Sequence, residues 1–231
     1  MKIMTFNTQH CLNYLEQHID YEIMAKTITD MGADVVGLNE MFDDGENAAF
    51  GAQTQKLSEL TGIKNHYFAR AIMDANGPYG NGILSKIPFK SVETVIIPDP
   101  DPKRPGGWYE TRCVLKAVLE NGLTVLVTHF GLEPDEQENA LKTVLSLIEN
   151  EKCILMGDFN VEPSSPIIAK IREKMVDAEV LFKNELLSFP SDKPRIKIDY
   201  IFASRDIEII SADIPEIIAS DHRPHVAEIA F

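Results

Sequence analysis

Residues 153–160 read Cys153-Ile154-Leu155-Met156-Gly157-Asp158-Phe159-Asn160, or "CILMGDFN". Four apolar residues run directly into a glycine, a carboxylate and an amide. The apolar run reads as a core strand, and a carboxylate at the end of a core strand needs a partner or a task. Strand alternation predicts Asp158 and Asn160 on one side and the Phe159 ring on the other. The stretch therefore reads as a buried anchor that aims two polar groups at one place.

Other apolar runs end the same way. "KIMTFN" (2–7) ends at Asn7, "DVVGLNEM" (34–41) carries Asn39 and Glu40 near its end, and "LTVLVTHF" (123–130) reaches His129. "IKIDYIFAS" (196–204) sets Asp199 between apolar neighbours, and "IIASDH" leads to Asp221 and His222. Strand ends on a rigid scaffold are where catalytic groups concentrate. Any one of these residues has an ordinary structural reading; the repetition points to a site.

The period of the hydrophobic pattern changes along the chain. Further strands are predicted at 64–73, 81–89, 92–98, 112–120, 207–214 and 225–231, with a hairpin turn at Asn121-Gly122. Helices are predicted at 20–32, capped by Asp20 and ended by Gly32, and at 47–62, 134–150 and 164–175. "DANGPYGNG" (74–82) reads as turn-rich, and 99–107 as an exposed loop. Many strands pair as hairpins, so mostly antiparallel sheets with helices outside are expected. No repeat or linker divides the 231 residues, and one domain over 1–231 is expected.

The composition narrows the function. No run approaches the ~18 apolar residues of a membrane span, and "MKIMTFNTQHC" lacks the layout of a signal peptide. A soluble cytoplasmic protein is expected. Cys11, Cys113 and Cys153 are odd in number and widely spaced, which suggests neither disulfides nor zinc. Twenty-two basic residues against 36 acidic give a net charge of −14. Such a field repels polyanions and argues against a general DNA-binding protein.

The polar set is chemically coherent. Glu, Asp and Asn oxygens are hard ligands suited to Mg²⁺ or Mn²⁺. An Asp–His pair orients an imidazole. With phosphate-binding amides, these groups amount to metal-assisted phosphoester hydrolysis.

The chain resembles the endonuclease/exonuclease/phosphatase superfamily. The matching segments are "TFN" (5–7), "DVVGLNE" (34–40), "GNGILSK" (80–86), "TRCVLKAVL" (111–119), "VTHF" (127–130), "GDFN" (157–160), "IDYIF" (198–202) and "SDHRP" (220–224). They occur in the family's order. The resemblance implies a deoxyribonuclease-like α/β fold, a four-layer sandwich of two mostly antiparallel central sheets between outer helices. It implies Glu40 as the metal ligand, with Asn7 beside it and Asp221 on the metal side. Asp158 and Asn160 would orient the attacking water and hold the phosphate. His222, held by Asp199, would act as base or electrostatic stabiliser, and His129 would contact a phosphate oxygen or serve as general acid. Arg112 matches a position near the phosphate in some members. Tyr79 and Asn81 are placed near the site by the same likeness.

Two positions depart from the family pattern: Asn39 stands where glutamine is usual, and Gln9 where abasic-site endonucleases carry an acid. The expected activity is a Mg²⁺-dependent (or Mn²⁺-dependent) phosphoesterase on a phosphorylated small molecule or phospholipid headgroup. The alternative is a nuclease, for which Lys86, Lys90, Lys103 and Arg104 could form a basic rim. Trp108-Tyr109 is expected to place one ring in the core and the other over its loop, with an aromatic substrate platform as the alternative. His10 and His66 are expected on the surface, without a role.

Overall fold

Alternation along the strand at 153–158 sorts its side chains into two layers. In the computed structural model, which describes residues 1–44 and 50–231, Ile154 and Met156 pack with Ile3, Val35 and Ile83 from a different sheet. Cys153 and Leu155 face the other way, onto helix residues Ala140, Val144, Ile168 and Ile171. A third cluster joins Met4, Phe6, Val36 and Leu38 to Met24, Ile28 and Leu57 on two other helices. Three apolar layers between elements define four layers of structure, helix–sheet–sheet–helix. Each fully buried Leu, Ile or Met contributes ~1.5–3 kcal/mol.

The first sheet contains β1 (Lys2–Asn7), β2 (Val35–Phe42), β3 (Asn65–Asp74), β4 (Gly77–Ser85), β11 (Glu208–Asp213) and β12 (His225–Ala230), in the order β11-β12-β1-β2-β4-β3. The second contains β5 (Phe89–Ile96), β6 (Cys113–Leu119), β7 (Thr124–His129), β8 (Cys153–Asp158), β9 (Val176–Asp177) and β10 (Asp199–Ala203), in the order β5-β6-β7-β8-β10-β9. Each is antiparallel except for its central pair: β1 runs parallel to β2, and β7 to β8. Helices α1 (Tyr21–Met31) and α2 (Gln53–Thr61) cover the first sheet, and α3 (Pro134–Leu147) and α4 (Pro166–Arg172) cover the second. Asp20 caps α1 by accepting from the Ile23 N–H, and Glu133 and Glu136 form a capping box at the start of α3.

Some elements differ from the sequence expectation. The turn expected over 74–82 is confined to Ala75–Asn76; Gly77–Ser85 is a strand paired on both sides. Its glycines serve close approach, since a Cβ on Gly80 would sit 2.0 Å from the Ala69 carbonyl oxygen. The helix expected at 47–62 spans Gln53–Thr61; residues 47–49 of that expectation lie outside the described residues. Its first turn is fixed by Gln53, which accepts from the Phe42 N–H and donates to the His10 carbonyl. The strand expected at 81–89 divides between β4 and β5 around Lys86-Ile87-Pro88, because proline cannot donate to a ladder.

Candidate active site

The two parallel pairs deliver the polar residues to one rim. Asn7 lies beside Asn39 at the end of β1–β2, and His129 beside Asp158 at the end of β7–β8. β10 enters antiparallel with Asp199 beside Asp158. Asp158 is in phase with Ile154 and Met156, so it points between the sheets, as Asn7 does in phase with Ile3. Gly157 (φ +146°) permits this pairing, because a Cβ there would meet the Thr128 carbonyl oxygen at 1.8 Å.

Two residues reach the rim through left-handed backbone rather than along a strand. β8 ends at Asp158; Asn160 arrives through a left-handed turn (φ +50°) in which its N–H donates to Asp158 Oδ1 at 2.9 Å. Simple alternation through Asn160, the sequence expectation, is thus replaced by a turn. Phe159 does turn away, onto Phe130 and Tyr200. Glu40 would follow Val36 and Leu38 toward the helices. A bulge between Leu38 and Met41, with Glu40 at φ +58°, turns it to the site, where Asn7 Nδ2 donates to its Oε1 at 3.0 Å. Gln9, His10 and Cys11 also have positive φ. Such backbone costs ~1–3 kcal/mol per residue and clusters at functional sites.

Asp158 and His222 form the buried centre. Asp158 Oδ2 accepts from Asn7 Nδ2 at 3.0 Å, and His222 Nε2 lies 3.6 Å from the same oxygen. His222 Nδ1 is 2.8 Å from Asp199 Oδ2. Burial pushes the Asp158 carboxyl up to about 7, against the pull of His222. Burial disfavours a charged His222, but the Asp199 and Asp158 carboxylates outweigh it and raise the ring to about 10. His222 therefore carries the proton between two acids, and Asp158 is poised near neutrality.

His129 is different. Arg112 Nη1 lies 2.8 Å from its Nδ1. A guanidinium only donates, so Nδ1 must accept and the ring proton sits on Nε2. Burial first, then the charges of Arg112 and His222, hold this ring well below the usual histidine range. Neutral His129 Nε2–H lies 3.1 Å from Asn160 Nδ2, which also donates to the Phe130 carbonyl. Two N–H donors 3.1 Å apart do not bond each other, so His129 Nε2–H faces Asp158 Oδ2 at 3.5 Å and the second Asn160 N–H is left for an acceptor oxygen.

Glu40 and Asp221 supply carboxylate oxygens to the same cleft. Burial raises the Asp221 carboxyl against the pull of His222, and the charge of Glu40 adds to the rise. An all-oxygen donor set around unneutralised acids fits a hard divalent cation. Asn7 turns its amide nitrogen to Glu40 and Asp158, while its oxygen accepts from the Gln9 N–H; in this arrangement it holds the two carboxylates. Asp158, Asp199 and His222 also bring potential ligand atoms within 4.8 Å of one another, but His222 Nδ1 is committed to Asp199.

Residues without an assigned role in the sequence reading support the site. Asn39, fully buried, donates to Asn81 Oδ1 and to the Thr128 carbonyl and accepts from the Asp158 N–H, bridging the sheets. Its signal was an amide in the core phase of β2. His10 is half-buried, with Nδ1 3.9 Å from Glu40 Oε2, rather than on open surface; His66 is exposed.

A cleft of about 480 Å³ opens over the site, walled by Trp108, Leu132, Phe189, Ile196 and Ile198. Trp108 is 57% exposed and not in the core, contrary to the packing expected of one ring in this pair. Tyr109 does cover its loop, bonding Asp135. None of the four cations expected for a basic rim is among the residues lining this cleft: Lys90 is exposed, Lys86 pairs with Asp34, Lys103 with Asp99, and Arg104 with Glu133 and Asp135.

Residues 4–222 match the profile of the Endonuclease/Exonuclease/phosphatase family. No curated protein matches the chain. Among solved structures, an endonuclease/exonuclease/phosphatase from Beutenbergia cavernae superposes with TM-score 0.79 at 20% identity, over 99% of this chain and 71% of that one. A functionally unknown conserved protein from Enterococcus faecalis gives 0.79 at 18% identity, over 100% and 99%. A mannosyl-6-phosphatase from Bacteroides thetaiotaomicron gives 0.78 at 14%, over 100% of both chains. At these identities the likeness is one of fold.

Proposed function

The chain belongs to the endonuclease/exonuclease/phosphatase family, and from that premise we propose that it is a Mg²⁺-dependent phosphoesterase acting on a phosphorylated small molecule or phospholipid headgroup. The observation that carries this reading is the convergence of Asp158, His222 with Asp199, and the His129–Asn160 donor pair in one cleft.

Asp158 Oδ2 takes a proton from the attacking water as the new P–O bond forms and the bond to the alcohol breaks. A carboxyl near neutrality suits this task. His222, kept protonated by Asp199, donates from Nε2 to a phosphoryl oxygen. Asn160 Nδ2–H binds a second phosphoryl oxygen. Neutral His129 acts here as a hydrogen-bond donor toward Asp158 rather than as the general acid, so the departing alcoholate takes its proton from water. Glu40 and Asp221 would hold the divalent cation, steadied by Asn7, and the cation would supply charge neutralisation at the phosphoryl group.

The cleft wall favours a small substrate over a nucleic acid. Arg112 and protonated His222 are the cations among the described lining residues, and both are engaged, Arg112 by Glu110 at 2.8 Å and by His129, and His222 by Asp199 at 2.8 Å. Nucleic-acid affinity rests on several free Lys or Arg contacts to phosphates. The mannosyl-6-phosphatase fold neighbour lends the small-substrate reading further support. No helix among the described residues is long and apolar enough to cross a membrane, and all three cysteines are buried and free; a cytoplasmic location is part of the proposal.

The test is a Mg²⁺-dependent phosphate-release panel of sugar phosphates, nucleotides and lipid headgroups, run beside plasmid nicking. Turnover of small esters, abolished by EDTA, is expected. Rapid nicking with no small-ester turnover would overturn the reading.

A further inference from the structure

The loop between β5 and β6 is fastened down in a way that leaves one large side chain out. Arg104 bonds Glu133 and Asp135, the Tyr109 hydroxyl bonds Asp135, and the backbone N–H groups of Trp108 and Glu110 donate to Glu133 and Glu136. Within this fixed loop the Trp108 indole stays 57% exposed at the cleft, and Leu132 on the same cleft is 54% exposed. Together the two side chains offer apolar area that a bound ligand would cover.

The charges around the cleft restrict what can cover it. Glu40, Glu110, Asp158 and Asp221 all line it, and its two cationic side chains, Arg112 and protonated His222, are already engaged by Glu110 and Asp199. A second phosphate or other anionic group would find no free cationic side chain there. The substrate beyond its one phosphate is therefore neutral. A sugar ring presents one C–H face to an indole and hydroxyls to a carboxylate such as Glu110. An aryl ring would offer the carboxylates of the cleft no hydrogen-bond donor.

We propose that Trp108, with Leu132, is the specificity platform of the cleft and that the substrate is a neutral sugar carrying a single phosphate. The proposal rests on the phosphoesterase reading and narrows it.

Trp108 is the sole tryptophan of the chain, so its emission reports the platform directly. Metal-free protein is titrated with hexose 6-phosphates, glycerol 3-phosphate and inorganic phosphate while fluorescence is recorded. Hexose phosphates are expected to shift the emission saturably, and inorganic phosphate to leave it in place. In steady state, the kcat/KM ratio of hexose phosphate over glycerol phosphate should fall about tenfold in Trp108→Ala, in line with a lost apolar contact, and recover largely in Trp108→Phe. Turnover of glycerol phosphate or lipid headgroups as fast as hexose phosphates, with no emission response, would overturn the sugar assignment and leave the phosphoesterase standing. A saturable emission shift with no ester hydrolysed would overturn the phosphoesterase reading and leave the sugar-phosphate site standing.

Discussion

Changing Gly157 to alanine tests whether the contact between β7 and β8 places the Asp158 carboxylate. A Cβ at this position would sit 1.8 Å from the Thr128 carbonyl oxygen, and real Cβ atoms stay beyond 3.0 Å, so the paired strands must part by about 1.2 Å. The backbone φ of +146° adds its own penalty, ~1–2 kcal/mol for a residue with a side chain. Overpacking of a tight contact costs a further ~1–3 kcal/mol. A loss of roughly 2–5 kcal/mol corresponds to a fall in Tm of ~4–20 °C for a chain of this size. Because Asp158 is the next residue, its carboxylate moves with the strand, and a misplacement of about 1 Å is worth ~100-fold in turnover. Calorimetry gives Tm, and phosphate release well below Tm gives kcat. Gly122→Ala is the control: φ is +87°, but the nearest atom is 4.0 Å away, so a stability loss of ~1–2 kcal/mol without loss of turnover is expected. If Gly157→Ala lowers Tm but keeps kcat within threefold of the parent, the strand contact does not position the carboxylate.

Asp199→Asn removes a charge 2.8 Å from His222 Nδ1. At an effective dielectric of ~20 this attraction is at most ~6 kcal/mol, about four pKa units, so the alkaline limb of the pH–rate profile should move down from about 10 by several units; an unmoved limb refutes the pairing. The sign for stability follows from the raised pKa. Stabilisation from protonated His222 is complete below ~6.5, the unfolded value, and is lost as pH rises through about 10. Chemical denaturation should show that decline in the parent and a weaker one in Asp199→Asn. Glu40→Gln should weaken Mg²⁺ binding by at least ~10-fold in calorimetry, and an unchanged isotherm removes Glu40 from the ligand set. Asn39→Ala strips three hydrogen bonds from a fully buried position and should cost at least ~3 kcal/mol in urea denaturation; a loss under ~1 kcal/mol would mean the bridge between the sheets is dispensable.

The strands and their polar ends were legible because both signals are local. An apolar run announces burial, and a carboxylate or amide at its end is conspicuous against it. The bulge and the turn that bring Glu40 and Asn160 to the cleft were not legible, because a glutamate does not announce a positive φ and Asn160, a residue that tolerates one, stands in what reads as a continuing strand. "GPYGNG" misled for the opposite reason. Its glycines suggest a turn, yet Gly80 is needed for close contact with β3, and sequence cannot tell the two uses apart. His10 and Trp108 were misplaced because their positions are set by partners far away in the chain. Glu133, Asp135 and Glu136 hold the Trp108 loop from the first turn of α3.

The placement of the site follows from an exception in the sheet topology. In an antiparallel ladder, neighbouring strands end on opposite rims, so two adjacent strand ends cannot both serve one cleft. A parallel pair ends both strands on the same rim, as in open α/β sheets, where ligands gather at the carboxyl ends of strands. Each sheet here has one such pair, at its centre, where burial is deepest and strand position is most firmly set. Stacking the sheets brings the two pairs together, and four strand ends contribute Asn7, Glu40, His129 and Asp158. Asp199 then enters from the start of the antiparallel β10, which begins at the rim where β8 stops. The apolar run "CILM" therefore does more than bury surface. It fixes β8 against β7 on one side and β10 on the other, so that Asp158 stands beside both His129 and Asp199 in register. A substitution that leaves the core packed but slips β8 by one residue would turn Asp158 toward the helices and abolish turnover.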